Sequence, residues 1–310
     1  MRPVAENRKK PTMARFFPSV SSRIRRERLY AQMFIEDVSR QVVPIRVRSS
    51  GREHIRVWFE GDEAACDSAR VLLKNLMGRY GGNDAEDICD AFESIVRSLS
   101  WSGRAAYEIL RTDGGELQLV EATTHNLFRF AFWYVQMVPM RDWASGGAKF
   151  NVLSVRDMWI IRMPSALGGE RGYRRILRRL SWFDGISPRY WRRRMEAGTV
   201  LNDYNVHEYS RNVEVYKAIL TKEWGWDRRD WSGNWVAEYY SFHKKLQSAR
   251  AKAVLRDHVT AELNSLLNAL GIRCNIKMEG LPTLSGINDL QSQLEGGTLS
   301  FAEAFEAVSF

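Results

Sequence analysis

From Trp235 to Leu270 apolar residues recur at helical spacing, through Tyr239, Phe242, Leu246, Ala249, Ala253, Val259, Leu263, Leu266, Leu267 and Leu270. Asn234 can cap this run and Gly271 can close it. About 36 residues at about 1.5 Å each predict a rod of roughly 54 Å. A helix that long in a chain of 310 residues spans more than one layer of a fold, or borders a neighbouring subunit. The rest of the chain must be arranged along it.

Charge is placed as sharply as hydrophobicity. Between Arg171 and Arg194 stand nine arginines (Arg171, Arg174, Arg175, Arg178, Arg179, Arg189, Arg192, Arg193 and Arg194) against one acid, Asp184. That segment carries +8 and residues 1–28 carry +7, of a net +9, so the remainder is acidic at −6. Two local concentrations of cations on an acidic body point to a polyanionic partner, most often nucleic acid. Arginine rather than lysine adds a planar fork that fits phosphate or carboxylate. Within the segment Tyr173, Ile176, Leu177, Leu180 and Phe183 take one side of a predicted helix and the arginines take the other. Gly185 and Pro188 predict a break or kink, with a second helix starting at Pro188.

The first half of the chain reads as α+β. Residues 1–22, with Pro3, Pro11 and Pro18, read as a disordered basic arm, and Met13 is a second candidate start. A helix is expected over 23–40. Alternation at Val43, Ile45 and Val47 and again at Ile55, Val57 and Phe59, about Ser49-Ser50-Gly51, predicts a hairpin. A helix follows over 62–79. The next, to about Leu99, is capped by Asn83 or Asp84, with Asp84, Glu86 and Asp87 against its dipole. Thr112-Asp113-Gly114-Gly115 predicts a second hairpin between Ala105–Arg111 and Glu116–Val120. Extended stretches over Phe128–Val138 and Val152–Met163 complete a mixed sheet. Helices are expected over Asn212–Trp224 and Asp289–Leu294, a strand over Ile272–Met278, and a capping box at Ser300-Phe301-Ala302-Glu303.

Several chemistries are missing. There is no G-x-x-x-x-G-K-[ST], H-E-x-x-H or G-x-S-x-G, and no G-x-G-x-x-G after a strand. No catalytic residue, cofactor or metal site is predicted. Cys66, Cys89 and Cys274 are odd in number and widely spaced, which predicts no disulfide framework and no zinc site. The longest apolar run, Leu127 to Val138, is interrupted by Arg129 and Gln136 and is too short to span a bilayer. Eleven tryptophans fit either an aromatic core or a protein that lives in an assembly.

The order of elements is more specific than any one of them. A turn-flanked strand, Gly103 to Ile109, leads to the hairpin strand Glu116 to Val120. The strand Ser154 to Met163 ends at Pro164, and Gly168-Gly169-Glu170-Arg171-Gly172 then opens a helix. Trp224-Gly225-Trp226 runs through a charged loop to Glu238-Tyr239-Tyr240. Asp289-Leu290 to Leu294-Glu295-Gly296-Gly297, then Thr298 to Ala304, closes the chain with a leucine helix, glycines and an acidic-alanine helix. Over roughly residues 25–310 this order resembles the portal (head–tail connector) proteins of tailed phages.

The resemblance implies a helix-dominated α+β subunit of a closed ring, commonly a dodecamer, with a long kinked helix. It implies an α/β wing over 23–167, a first stem helix over 168–197, a short clip over 198–210 and a second stem helix over 211–224. A tunnel loop over 225–234, the long helix over 235–270 and a wing or crown segment over 271–310 follow. Such a ring is a non-enzymatic virion component at one capsid vertex, assembled in the host cytoplasm. Its implied partners are double-stranded DNA in the channel, the major capsid protein, the terminase (packaging ATPase) and a head–tail adaptor protein, with no membrane. Trp226, Asp227, Arg228, Arg229, Asp230 and Trp231 would form the DNA-contacting loop. Portal channels are commonly electronegative, so the stem arginines are expected to face away from the narrowest lumen, toward acids of a partner or packaged DNA. Two other readings are a stand-alone nucleic-acid-binding protein, using the 171–194 arginine helix as a phosphate clamp, and a DNA-processing enzyme built on Asp84, Asp87 and Asp90.

Overall fold

The computed structural model describes residues 29–41, 55–77, 83–112, 115–122, 124–139, 148–197, 206–226 and 238–308. Its elements are α1 (Leu29–Gln41), β1 (Arg56–Gly61), α2 (Glu63–Leu73), α3 (Asp84–Ser102), β2 (Arg104–Arg111) and β3 (Leu117–Ala122). Then come β4 (Leu127–Phe130), β5 (Trp133–Pro139), β6 (Ala148–Ser154), β7 (Met158–Arg162), α4 (Gly169–Ala197) and α5 (Val206–Leu220). The chain continues with α6 (Glu238–Ala269), β8 (Cys274–Glu279), α7 (Leu284–Glu295) and α8 (Phe301–Val308). It is a helix-rich α+β fold with three small sheets among the described residues.

Local signals set the α3 region. The Asn83 side chain accepts the Glu86 N–H at 2.9 Å, and three acids occupy the first turn. Gly103 ends the helix at φ 74°, and a Cβ there would lie 3.2 Å from the Glu170 carbonyl. The glycine therefore lets the end of α3 approach the start of α4. The β2–β3 hairpin forms as predicted, with Arg111 opposite Leu117.

Long-range pairing differs from the sequence reading. β1 pairs antiparallel with β8, from Arg56 opposite Glu279 to Gly61 opposite Cys274. The other half of the expected first hairpin, residues 43–47, lies outside the described residues, as does the arm over 1–22. All strand pairs among the described residues are antiparallel, so the sheets are not mixed. The stretch over 128–138 is not one strand. It folds back at Ala131-Phe132 into β4 and β5, with Ala131 at φ 47°. The stretch over 152–163 divides at a 3₁₀ turn, Val155–Asp157, into β6 and β7.

Three apolar clusters hold the fold. The main one joins α1, α2, α3, the inner side of β2, α4 and the middle and C-terminal half of α6. A small one, Ala106, Ala122, Leu127, Tyr134 and Met158, ties the β4–β5–β6 sheet to β2 and β3. A third packs Phe242, Leu246 and Ala253 of α6 on Ile287 of α7 and Ala304 of α8. The long helix thus meets one cluster with Ala251 and Leu255 and another with Ala253. Its described span of 32 residues gives about 48 Å. The capping box at Ser300 forms, with the Glu303 carboxylate accepting the Ser300 N–H at 2.9 Å.

Candidate functional site

α4 runs unbroken from Gly169 to Ala197, through Gly185 and Pro188. The expected break is absent. Proline removes one backbone donor from the helix without ending it here. α5 begins at Val206, six residues before the expected start at Asn212. The expected loop over 198–210 is correspondingly shorter, and residues 198–205 are outside the described set. Two aromatic contacts tie α4 to α5 and to the 3₁₀ turn Lys222–Trp224 that follows it. Tyr173 meets Trp224 at 5.5 Å and Phe183 meets Tyr216 at 5.2 Å between ring centroids. The order of these contacts shows that the chain goes out along α4 and returns along α5.

The arginines of α4 divide into two groups. Arg174 is not on the free face. Its guanidinium lies 2.9 Å from Glu170, and its Nε–H donates to the Ser102 carbonyl at 2.8 Å, at the C-terminal end of α3. Glu170 also faces Arg162 at 3.4 Å and Arg104 at 3.8 Å. Arg104 donates to the carbonyls of Thr124 at 2.7 Å and Leu127 at 3.1 Å. Burial pushes the Arg104 guanidinium below its ordinary value; Glu170 opposes this, and Arg174 and Arg162 add to it. One carboxylate therefore holds arginines from β2, β7 and α4 together. A count begun at Arg171 overlooks it, because Glu170 stands one residue earlier.

The second group is exposed. Arg171, Arg175, Arg178 and Arg179 face solvent, and Trp182, 55% exposed, lies on the same side. Tyr173, Ile176, Leu177, Leu180 and Phe183 are buried opposite, as the amphipathic pattern predicts. Such side chains contribute roughly 1.5–3 kcal/mol each, so the helix cannot rotate to hide its arginines. Arg189, Arg192, Arg193 and Arg194 belong to the helical backbone, and their side chains lie outside the described residues.

The segment before the expected tunnel loop is a buried anchor. Trp226 is 7% exposed, so it is a core residue rather than a loop tip open to DNA. Its indole N–H donates to Asp37 at 2.8 Å, and its ring lies 5.2 Å from Phe34. Trp224 packs on Phe34 at 5.6 Å. Gly225, at φ 55°, presses against α6, where a Cβ would stand 2.3 Å from the Lys244 carbonyl and 2.4 Å from the Ser248 N–H. Asp227, Arg228, Arg229, Asp230 and Trp231 lie outside the described residues.

Spacing in sequence concealed one further proximity. Cys66 and Cys274 are free thiols with sulfurs 3.8 Å apart, and Cys89 is also free and buried. Burial pushes the Cys274 thiol up to about 12. Asp84, from the alternative carboxylate cluster, binds Arg70 at 2.7 Å in a salt bridge. Among the described residues, no group of three His, Cys, Asp or Glu side chains is placed to hold a metal ion. No helix among them is long and apolar enough to cross a membrane.

Fold and face together define a helix-rich α+β protein with an exposed arginine stripe on its long helix α4. No protein-family model and no curated protein matches the chain. Among solved structures, it is similar to a chain of the neck of an empty gene transfer agent particle computed with C6 symmetry. That likeness has a TM-score of 0.46 and 12% identity over 100% of this chain and 95% of that one. A chain of the virion of a native gene transfer agent particle gives 0.40, and one of the neck of the native particle computed with C12 symmetry gives 0.39. Both share 12% identity over 100% of this chain and 95% of those. Similarity of this size assigns neither fold family nor role.

Proposed function

We propose that the chain is a subunit of a portal-type ring at a capsid vertex, through which double-stranded DNA is packaged and released. The observation that carries this reading is one continuous passage. β7 ends at Arg162, Pro164 opens a 3₁₀ turn that leads to Gly169, and the 29-residue α4 goes out and α5 returns. The Trp224-Gly225-Trp226 anchor then seats the chain on α6. The order matches the wing, stem, tunnel-loop and long-helix sequence that the residues resemble. In this reading α4 and α5 are the stem and residues 227–234 are the tunnel loop. Arg171, Arg175, Arg178 and Arg179 face away from the narrowest part of the lumen. The protein acts without catalysis, in the virion, with the major capsid protein, the packaging ATPase and a head–tail adaptor as partners.

Light scattering and negative-stain imaging of the purified chain test the reading. A closed ring, expected to be a dodecamer, supports it. A chain that stays monomeric at high concentration and is absent from particle vertices defeats it. For the loop, Arg228→Ala with Arg229→Ala should impair packaging or DNA retention while rings persist. Loss of ring formation instead would make the loop a subunit contact.

A further inference from the structure

We infer that the exposed stripe of α4 is a binding site for the phosphodiester backbone of nucleic acid, on the outer side of the helix pair and independent of any channel. The inference goes beyond the ring reading and does not depend on it.

The structure sorts the arginines in a way that composition could not. Arg174 is tied inside the fold to Glu170 and to the Ser102 carbonyl. Arg171, Arg175, Arg178 and Arg179 are exposed and have no acidic partner among the described residues. At 100° per residue, as the helix repeat of 3.6 requires, these four positions and Trp182 fall within about 100° of arc. They cover about 16 Å of helix axis at 1.5 Å per residue. α4 continues as one helix beyond the stripe to Ala197.

The chemistry of the stripe selects its partner. Duplex DNA presents a negative charge about every 1.7 Å of its axis, so a straight row of cations meets phosphates at every turn. An acidic protein would need carboxylates at one-turn spacing along the same line. The guanidinium fork suits phosphate oxygens. Trp182 adds an exposed aromatic plate beside the cations, the combination used by proteins that stack bases while holding the backbone. Duplex and single strand share the phosphodiester chemistry, and the test separates them.

The test is fluorescence anisotropy of the full chain with a labelled duplex and with a labelled single strand, between about 50 and about 200 mM salt. Removing three phosphate contacts by Arg175→Ala, Arg178→Ala and Arg179→Ala should make the slope of log K against log salt shallower by about 2.7 for duplex. The corresponding triple lysine variant should keep the wild-type slope. A control, Arg111→Ala with Arg156→Ala, should leave slope and affinity unchanged. Trp182→Ala should weaken binding of the single strand selectively. Reduced slope on either polymer supports the site. An unchanged slope in the triple alanine variant overturns it, as does binding of poly-glutamate with no binding of either DNA. Light scattering on the same samples keeps the two readings apart, because ring loss with retained DNA binding defeats only the ring.

Discussion

Trp226 donates its indole N–H to Asp37 at 2.8 Å, across 189 residues of chain. Asp37 is 7% exposed, so this bond sits in the main core and joins the first described helix to the base of the α5–α6 connection. Trp226→Phe keeps most of the apolar volume and removes this donor from a buried carboxylate. Urea unfolding should show a loss of about 1–2 kcal/mol.

Gly225 tolerates no Cβ. Gly225→Ala places a methyl carbon 2.3 Å from the Lys244 carbonyl at a φ of 55°. Moving the turn off α6 should lower stability by about 2–4 kcal/mol in thermal or urea unfolding. Gly115→Ala is the comparison, since φ is also positive there, at 83°, and a Cβ meets nothing within 4 Å. It should lose only about 1 kcal/mol. Equal losses would mean that backbone strain, not contact with α6, governs Gly225.

Among the described residues, Glu170 is the carboxylate that faces Arg104, Arg162 and Arg174. Glu170→Gln leaves three guanidinium groups without it and should lower stability by about 2 kcal/mol, reduced from the fully buried case by the exposure of Arg162. Raising salt should narrow the gap between variant and wild type. Arg162→Gln alone should change stability by less than about 0.5 kcal/mol, since that side chain is 60% exposed.

Burial pushes Lys252 below its ordinary value of 10.5, and it has no acidic partner among the described residues. Its ammonium is therefore worse off folded than unfolded. The penalty is full below the folded-state value, fades as pH rises through it, and is gone above 10.5, where both states are neutral. Lys252→Met should raise stability at neutral pH by about 0.5–1 kcal/mol, held down by partial exposure. Its melting-temperature advantage should shrink as pH is raised. An advantage that is constant with pH would assign the gain to packing instead.

Features made within a few residues of each other were legible in the sequence. The Asn83 cap, the β2–β3 hairpin, the Ser300 capping box and the two faces of α4 each follow from local spacing. Pairings made across the chain were not. Nothing near Arg56 indicates that its strand lies against Glu279, and nothing near Trp226 indicates Asp37. The turn at Ala131-Phe132 escaped because neither residue carries turn chemistry, and Ala131 is held at positive φ by the pairing on both sides. The break expected at Gly185 and Pro188 did not occur, since a proline costs a helix one backbone donor without necessarily ending it. At the candidate site, the arginine concentration was visible at once. Its division into a tethered residue and an exposed stripe depended on Glu170 meeting Arg162 close by and Arg104 on a strand distant in sequence.

The pairing of β1 with β8 also sets a timetable for synthesis. Arg56 leaves the ribosome long before its ion-pair partner Glu279, 223 residues later. At about 5–20 residues per second that interval is about 10–45 s. Throughout it β1 has no β8 to pair with, and Cys66 lacks the Cys274 sulfur that shields it in the finished chain. A nascent chain halted before residue 274 would carry an open strand edge and an uncovered thiol, and would depend on chaperones until its last elements arrive.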